Sequence, residues 1–416
     1  MTNSKNDRSP YRWVVLSVFS LINIVVEIHW IMFAPVTGEA AAFYHVSVLQ
    51  IGMLSMLFML VYIVMSVPAS YVIDTWGLRA GLNIGAVLIA VFSLLKAYYP
   101  TDYRMVLIAQ TGLAVAQPFI LNAITKVGAN WFPFEERVMA AGLGTLAQYI
   151  GIILAMGLTP FIVAGKGLGG LMIITAWVSV GAAALVFLLI RERSPYAGEE
   201  GLVIARTDVL SGLRSILKNR NMLWLLLLFF IGLGMFNAVT TWIEQILEPR
   251  GFHAAQAGMV GAVMMLGGII GAAILPVMSD RTGRRKPFIL VAMLGLLPGL
   301  VGLTLSGNYG VVLASGFIIG FFIMSAGPIG FQYGAELSYP APESTSQGLM
   351  LWVGQVSGVL FIFGMDRFRA ASGSMTPFMI LFIILTLFNA LISMQLKESK
   401  LAVEHAGIPE EMKDHK

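Results

Sequence analysis

An all-α integral membrane protein of twelve transmembrane helices, arranged as two pseudo-symmetric six-helix bundles, is predicted by three observations. The first is composition: 57% of the residues are hydrophobic and 12% charged, with a mean hydropathy of +0.82, whereas about 25% of a soluble domain is charged. The second is the recurrence of apolar runs of about 20 residues, enough helix to cross ~30 Å of hydrocarbon. They fall near 12–36, 48–73, 80–99, 103–127, 138–163, 170–190, 221–245, 256–278, 287–306, 311–334, 346–365 and 376–396. The third is an internal repeat: PASYVIDTWGLR around Asp74 returns as LPVMSDRTGRRK around Asp280, 206 residues further on in a chain of 416.

Taken in order, the first span lacks a short apolar core followed by a small-residue cleavage site, so it reads as a retained helix and not a removable signal. Spans one to six make a bundle over 1–190, and spans seven to twelve make a second over 221–396. The segment 191–220 is a polar linker in which Leu210, Leu213, Ile216 and Leu217 share a helical face opposite Arg214, Lys218 and Arg220, behind a Thr207 or Asp208 cap. That pattern predicts an interfacial helix. Residues 397–416 form a polar tail.

An even number of spans puts both termini on one side of the bilayer. Lys96, Arg104, Lys166, Arg250, Arg367 and Arg369 fall on the far side, and the other 20 of the 26 Lys and Arg on the side of the termini. The positive-inside rule therefore makes both termini cytoplasmic and the protein a multi-pass component of the plasma membrane. The net charge of +4 is spread over short corners and never forms a basic run with interleaved aromatics, so no nucleic-acid partner is expected. With no cysteine there are no disulfides or thiolate metal sites. No phosphate-binding GxxxxGK[ST], metal-spaced histidine pair or nucleophile elbow occurs, so no cofactor, metal, ATP-driven or enzymatic chemistry is expected.

Each copy of the repeat ends a span with an acid, turns on a glycine and continues with arginine: Asp74, Gly77 and Arg79, then Asp280, Gly283, Arg284 and Arg285. An acid at such a corner can accept from the N-terminus of a neighbouring helix or pair with arginine, and so hold the ends of helices together. The arrangement resembles the signature loop of the major facilitator superfamily, whose members are built from repeated halves.

Polar groups inside the spans need an explanation, because a charge at mid-membrane costs on the order of 2.5–3.5 kcal/mol on insertion scales. Glu27 lies halfway through the first span. At about 100° per residue, Asn23, Glu27, Trp30 and Ala34 share one face, and His29 projects away from it. A carboxylate beside an aromatic ring suits an organic cation; a proton site, or a neutral acid hydrogen-bonded between helices, suits the same residue. His29 is a second candidate for proton coupling. In the fourth span Pro118 removes the hydrogen bond to the carbonyl of Ala114 next to Gln117, a break tolerated at membrane depth where it lines a cavity or is shielded by protein. The second half offers Asn237, Trp242, Glu244 and Gln245, then Gln332 and Tyr333 after Pro328, then Trp352 with Gln355.

Several stretches together resemble the feline leukaemia virus subgroup C receptor-related family of haem, choline and ethanolamine transporters. They are RWVVLSVFSLIN leading to HWIMF, LSMLFMLVYIVMSVPASYVIDTWGLR, AQPFILNAITKVGANWFPFEER, GPIGFQYGAELSYPAPESTSQGLM and GQVSGVLFIF. The resemblance implies that Trp30 and Gln117 surround the ammonium of the substrate and that Gln355 is a polar position of the eleventh span. It also shows departures: Asn237 stands where animal members carry a cage tyrosine, Gln332 where an acid is expected, and Glu27 has no acidic counterpart.

The expected function is alternating-access secondary transport of a small cationic or zwitterionic amine such as choline or ethanolamine, by a monomer in the lipid bilayer, with protons or another ion as coupling partner. The expected binding set is Asn23, Trp30, Gln117, Asn237, Gln332 and Gln355. Movement of haem, a siderophore or another organic anion is the alternative on the same fold, favoured only by cations deep in the spans; Lys96 and Lys126 are expected near membrane ends. A non-transporting receptor would lack a gating corner or carry a signalling domain.

Overall fold

The computed structural model describes residues 9–192, 216–338 and 343–398. Among these every regular element is helical, as a bilayer demands: without water, backbone polar groups must be satisfied within the segment. The helices are α1 (Tyr11–Ile31), α2 (Thr37–Tyr44), α3 (Val48–Trp76), α4 (Leu78–Tyr98), α5 (Tyr103–Leu121), α6 (Ile124–Trp131) and α7 (Phe134–Leu189). They continue as α8 (Arg220–Thr241), α9 (Ile243–Leu247), α10 (Ala254–Thr282), α11 (Lys286–Leu305), α12 (Tyr309–Ser338), α13 (Glu343–Ser372) and α14 (Thr376–Gln395).

Eleven described segments are long and apolar enough to span a membrane, where the sequence predicts twelve. The difference lies in α7, whose 56 residues contain both the fifth and the sixth expected spans on either side of Gly167, where the backbone leaves helical geometry at φ 68° and ψ 177°. The first span is also not the continuous helix expected over 12–36. It stops at Ile31, passes through a 3-10 turn at Ala34–Val36 and restarts at Thr37. Pro35 has no N–H to offer the carbonyl of Ile31, which explains the break. The seventh span breaks likewise between α8 and α9. The expected linker helix falls outside the described residues up to Ser215.

Helix starts follow local chemistry. Ser47 and Gln50 form a reciprocal capping box at α3, Asp102 accepts from Arg104 and Met105 at α5, and Asn219 accepts from Asn221 and Met222 ahead of α8. Each satisfies backbone donors that the first turn leaves free.

The chain divides into two compact units: Met1–Val203 with Thr241–Gln245 and His253–Gly258, and Ile204–Thr240, Ile246–Phe252 and Met259–Lys416. In the first, α1 lies along α7, while α4 packs on α5 and α7. α7 approaches α1 closely at Gly151, where a Cβ would stand 2.6 Å from the carbonyl oxygen of Ile24 and 2.9 Å from Cβ of Glu27. In the second, α11 packs between α12 and α14.

Candidate functional site

Within the first unit, α1 carries Asn23, Glu27 and Trp30 on successive turns, and all three are buried. Gln117 on α5, also buried, holds its side-chain amide within hydrogen-bonding reach of the Glu27 carboxylate. Tyr149 on α7 is close enough to feel the charge of Glu27. The amide of Asn23 donates through Nδ2 to the carbonyl of Phe19 at 2.8 Å, and its Oδ1 has no hydrogen-bond partner. Among the described residues no salt bridge reaches Glu27. The face therefore combines an aromatic ring, an acid with no basic partner among the described residues and a spare carbonyl oxygen.

His29 points elsewhere, as the helical wheel predicts, into a second buried polar cluster. Its Nε2 lies 2.8 Å from Ser179 Oγ and its Nδ1 3.0 Å from Lys96 Nζ. Lys96 also donates to Gln110 Oε1 at 3.1 Å and Met32 Sδ at 3.3 Å, and Gln110 Nε2 donates to the carbonyl of His29 at 2.6 Å. Since Ser179 donates to the carbonyl of Thr175, the imidazole carries its proton on Nε2 and accepts on Nδ1. Lys96 lies at a helix end as expected, in the last turn of α4, but its side chain turns inward and is fully buried, because three acceptors, the Phe33 ring at 5.6 Å and the C-terminal end of α1 receive it.

The corner motifs are built differently in the two units. At Gly77 (φ 96°), the Glu192 carboxylate accepts from the backbone N–H of Leu78 at 3.3 Å and Arg79 at 2.7 Å, capping α4. The Arg79 side chain is exposed, and Asp74 faces Lys126 Nζ at 3.5 Å, not an arginine. A Cβ at position 77 would stand 2.7 Å from Glu192 Oε2, in backbone geometry that favours glycine. Gly77→Ala is therefore expected to lower stability by about 1–3 kcal/mol, read as an earlier unfolding transition in detergent with the helical content at low temperature unchanged.

In the second unit, Glu398 accepts from the backbone N–H of Arg285 at 3.0 Å and Lys286 at 3.2 Å. The Arg285 side chain is itself buried, bonded to Asp280 and to Glu336 Oε1 at 3.0 Å. Burial works against its charge, but Asp280 and Glu336 outweigh burial and push its pKa above the ordinary arginine value. Gly283 turns the chain at φ 61°, and Arg284 offers its carbonyl to Ser279 Oγ. Gln332 is exposed and donates to Glu336, so it belongs with this corner in the structure. Asn237 is buried and Gln355 half-buried in the same unit.

The family profile described as Major Facilitator Superfamily matches residues 19–362. The chain belongs to the major facilitator superfamily. Its helices follow those of a bacterial homologue of the human lysosomal transporter Spinster, with a TM-score of 0.77 at 14% identity, over 93% of this chain and 98% of that one. A D-xylose–proton symporter gives 0.72 at 15% identity over 94% and 99%. Among sequence relatives, solute carrier family 49 member A3 of Danio rerio is 32% identical, over 84% of this chain and 77% of its own. The choline/ethanolamine transporter flvcr2a of the same species is 29% identical over 95% and 89%. The human choline/ethanolamine transporter FLVCR2 is 27% identical over 92% and 77%. This facilitator is thus a membrane transporter of a small molecule, resembles that branch as the sequence indicates, and is not an enzyme.

Several polar residues of this facilitator escape a reading of the spans alone. Glu192 and Glu398 are separated by the same 206 residues that separate Asp74 from Asp280, as are Asn130 and Glu336. Applying the repeat outside the motif would find both pairs. Gln110 and Ser179 give no such signal, because polar side chains at single positions in apolar runs are indistinguishable from helix-to-helix contacts.

Proposed function

We propose that this protein is an alternating-access secondary transporter of a small organic amine. It works as a monomer in the plasma membrane, with both termini cytoplasmic and the glycine corners on that side. The observation that carries the reading is the buried Glu27 carboxylate, unpaired by any described basic residue, on the same face of α1 as Trp30 and within reach of Gln117. A cationic substrate supplies the missing charge, gains attraction from the indole, and lowers the cost of an acid at membrane depth. Relatives named as choline/ethanolamine transporters support an amine over an organic anion. So does the engagement of Lys96, whose amine is occupied by three acceptors away from this face.

Trp30→Ala and Gln117→Ala are each expected to weaken amine binding by about fivefold to thirtyfold, the loss of roughly 1–2 kcal/mol of cation–π or hydrogen-bond energy. Thermal-shift titration of the purified protein with choline and ethanolamine measures this. Undiminished stabilisation in both variants would remove these residues from the site.

A further inference from the structure

We propose that the α1 face of Asn23 and Glu27 reads N–H bonds, so that the preferred cargo carries a primary ammonium and not a quaternary one. The inference rests on the reading of this protein as an amine transporter and narrows its substrate class.

Donors and acceptors on this face do not balance. The amide of Asn23 is fixed by its Nδ2 donating to the Phe19 carbonyl at 2.8 Å. Rotating the amide by half a turn would set two oxygens against each other, so Oδ1 stays where it is. That oxygen is buried and has no partner, which is uncommon in native interiors and calls for a cause. One turn further along, at the i, i+4 spacing that puts Cβ atoms about 5–6 Å apart, stands the Glu27 carboxylate. The Gln117 amide is a donor within its reach, Tyr149 stands near it, and no described basic residue pairs with it. With the carboxylate ionised, acceptors and negative charge are in surplus.

A group that completes the face must bring both a positive charge and N–H bonds. A primary ammonium brings a charge and three donors with no acceptor, enough to serve Asn23 Oδ1 and Glu27 together. A quaternary ammonium brings the same charge wrapped in methyl groups and donates nothing, leaving Oδ1 buried and unpaired. Trp30 attracts both cations and does not choose between them. Sites built to bond a substrate's N–H reject analogues without it, by factors reaching 10⁴–10⁵ where several groups are orphaned. With one orphaned oxygen and a carboxylate that attracts either cation, the expected preference is about tenfold to a hundredfold.

The test is a methylation series on the purified full-length protein: ethanolamine, its N-methyl and N,N-dimethyl derivatives, and choline, each titrated by thermal shift and by calorimetry. Affinity should fall with methylation, by at least tenfold from ethanolamine to choline. Asn23→Leu should flatten the series by weakening ethanolamine and sparing choline; Asn23→Ala repeats the measurement should the larger side chain prevent folding. Choline binding as tightly as ethanolamine to the unaltered protein overturns this inference and leaves amine transport standing. A preference that survives undiminished in a folded Asn23 variant also overturns it. Binding of no member of the series overturns the amine reading itself, and this inference with it.

Discussion

Replacing His29 with leucine is expected to destabilise the protein by about 3 kcal/mol or more, the scale of a buried charged group deprived of a partner. The physical reason is Lys96. Its side chain is fully buried, and its three N–H bonds go to His29 Nδ1, Gln110 Oε1 and Met32 Sδ. Among the described residues no salt bridge supplies it with a carboxylate. The leucine removes one of the two strong acceptors and leaves an N–H with nothing to meet. Gln110→Leu should be as severe, since Gln110 also donates to the His29 carbonyl. The diagnostic is non-additivity: adding Lys96→Met to His29→Leu removes the stranded amine and should recover part of the loss. Tryptophan fluorescence during unfolding in detergent measures all three. A double variant worse than the sum of its singles would contradict the account of this cluster.

The second large effect is expected at Arg285, and a contrast with its repeat mate makes it specific. Arg285 and Glu336 bury their side chains to the same degree, 9% exposed each. Arg285→Met therefore strands a buried carboxylate and should cost about 3–5 kcal/mol. Glu336→Gln in the same background should restore much of that. Arg79 occupies the equivalent place in the first repeat, yet its side chain is exposed and only its backbone N–H meets Glu192. Arg79→Met should change stability by no more than about 0.5 kcal/mol. Equal losses at the two arginines, in the same unfolding measurement, would show that the corners are energetically alike and that the buried pair is unimportant.

That contrast marks the reach of the sequence. The repeat, the apolar spans and the glycine corners are legible because bilayer thickness and backbone hydrogen bonding leave a chain few options. The face shared by Asn23, Glu27 and Trp30 is legible because helix geometry fixes which side chains are neighbours along one element. Partners on other helices are not. Arg79 and Arg285 look alike in the chain, and what separates them is position 130 or 336, asparagine in one repeat and glutamate in the other. Lys96 looks like an interfacial lysine by position, and only packing reveals that it turns inward onto His29. The interruption of the first span was hidden for a related reason: Pro35 marks a missing hydrogen bond, but proline is also found inside α3, α5, α10, α11 and α12 without ending them.

The most direct test of the central claim is uptake of radiolabelled ethanolamine into proteoliposomes, with protein-free vesicles subtracted. Time-dependent, saturable accumulation is expected for the unaltered protein and a loss of at least tenfold for Glu27→Gln, which keeps the shape of the side chain and removes its charge. Uptake no greater than in protein-free vesicles, or equal uptake by the Glu27→Gln variant, would contradict the account.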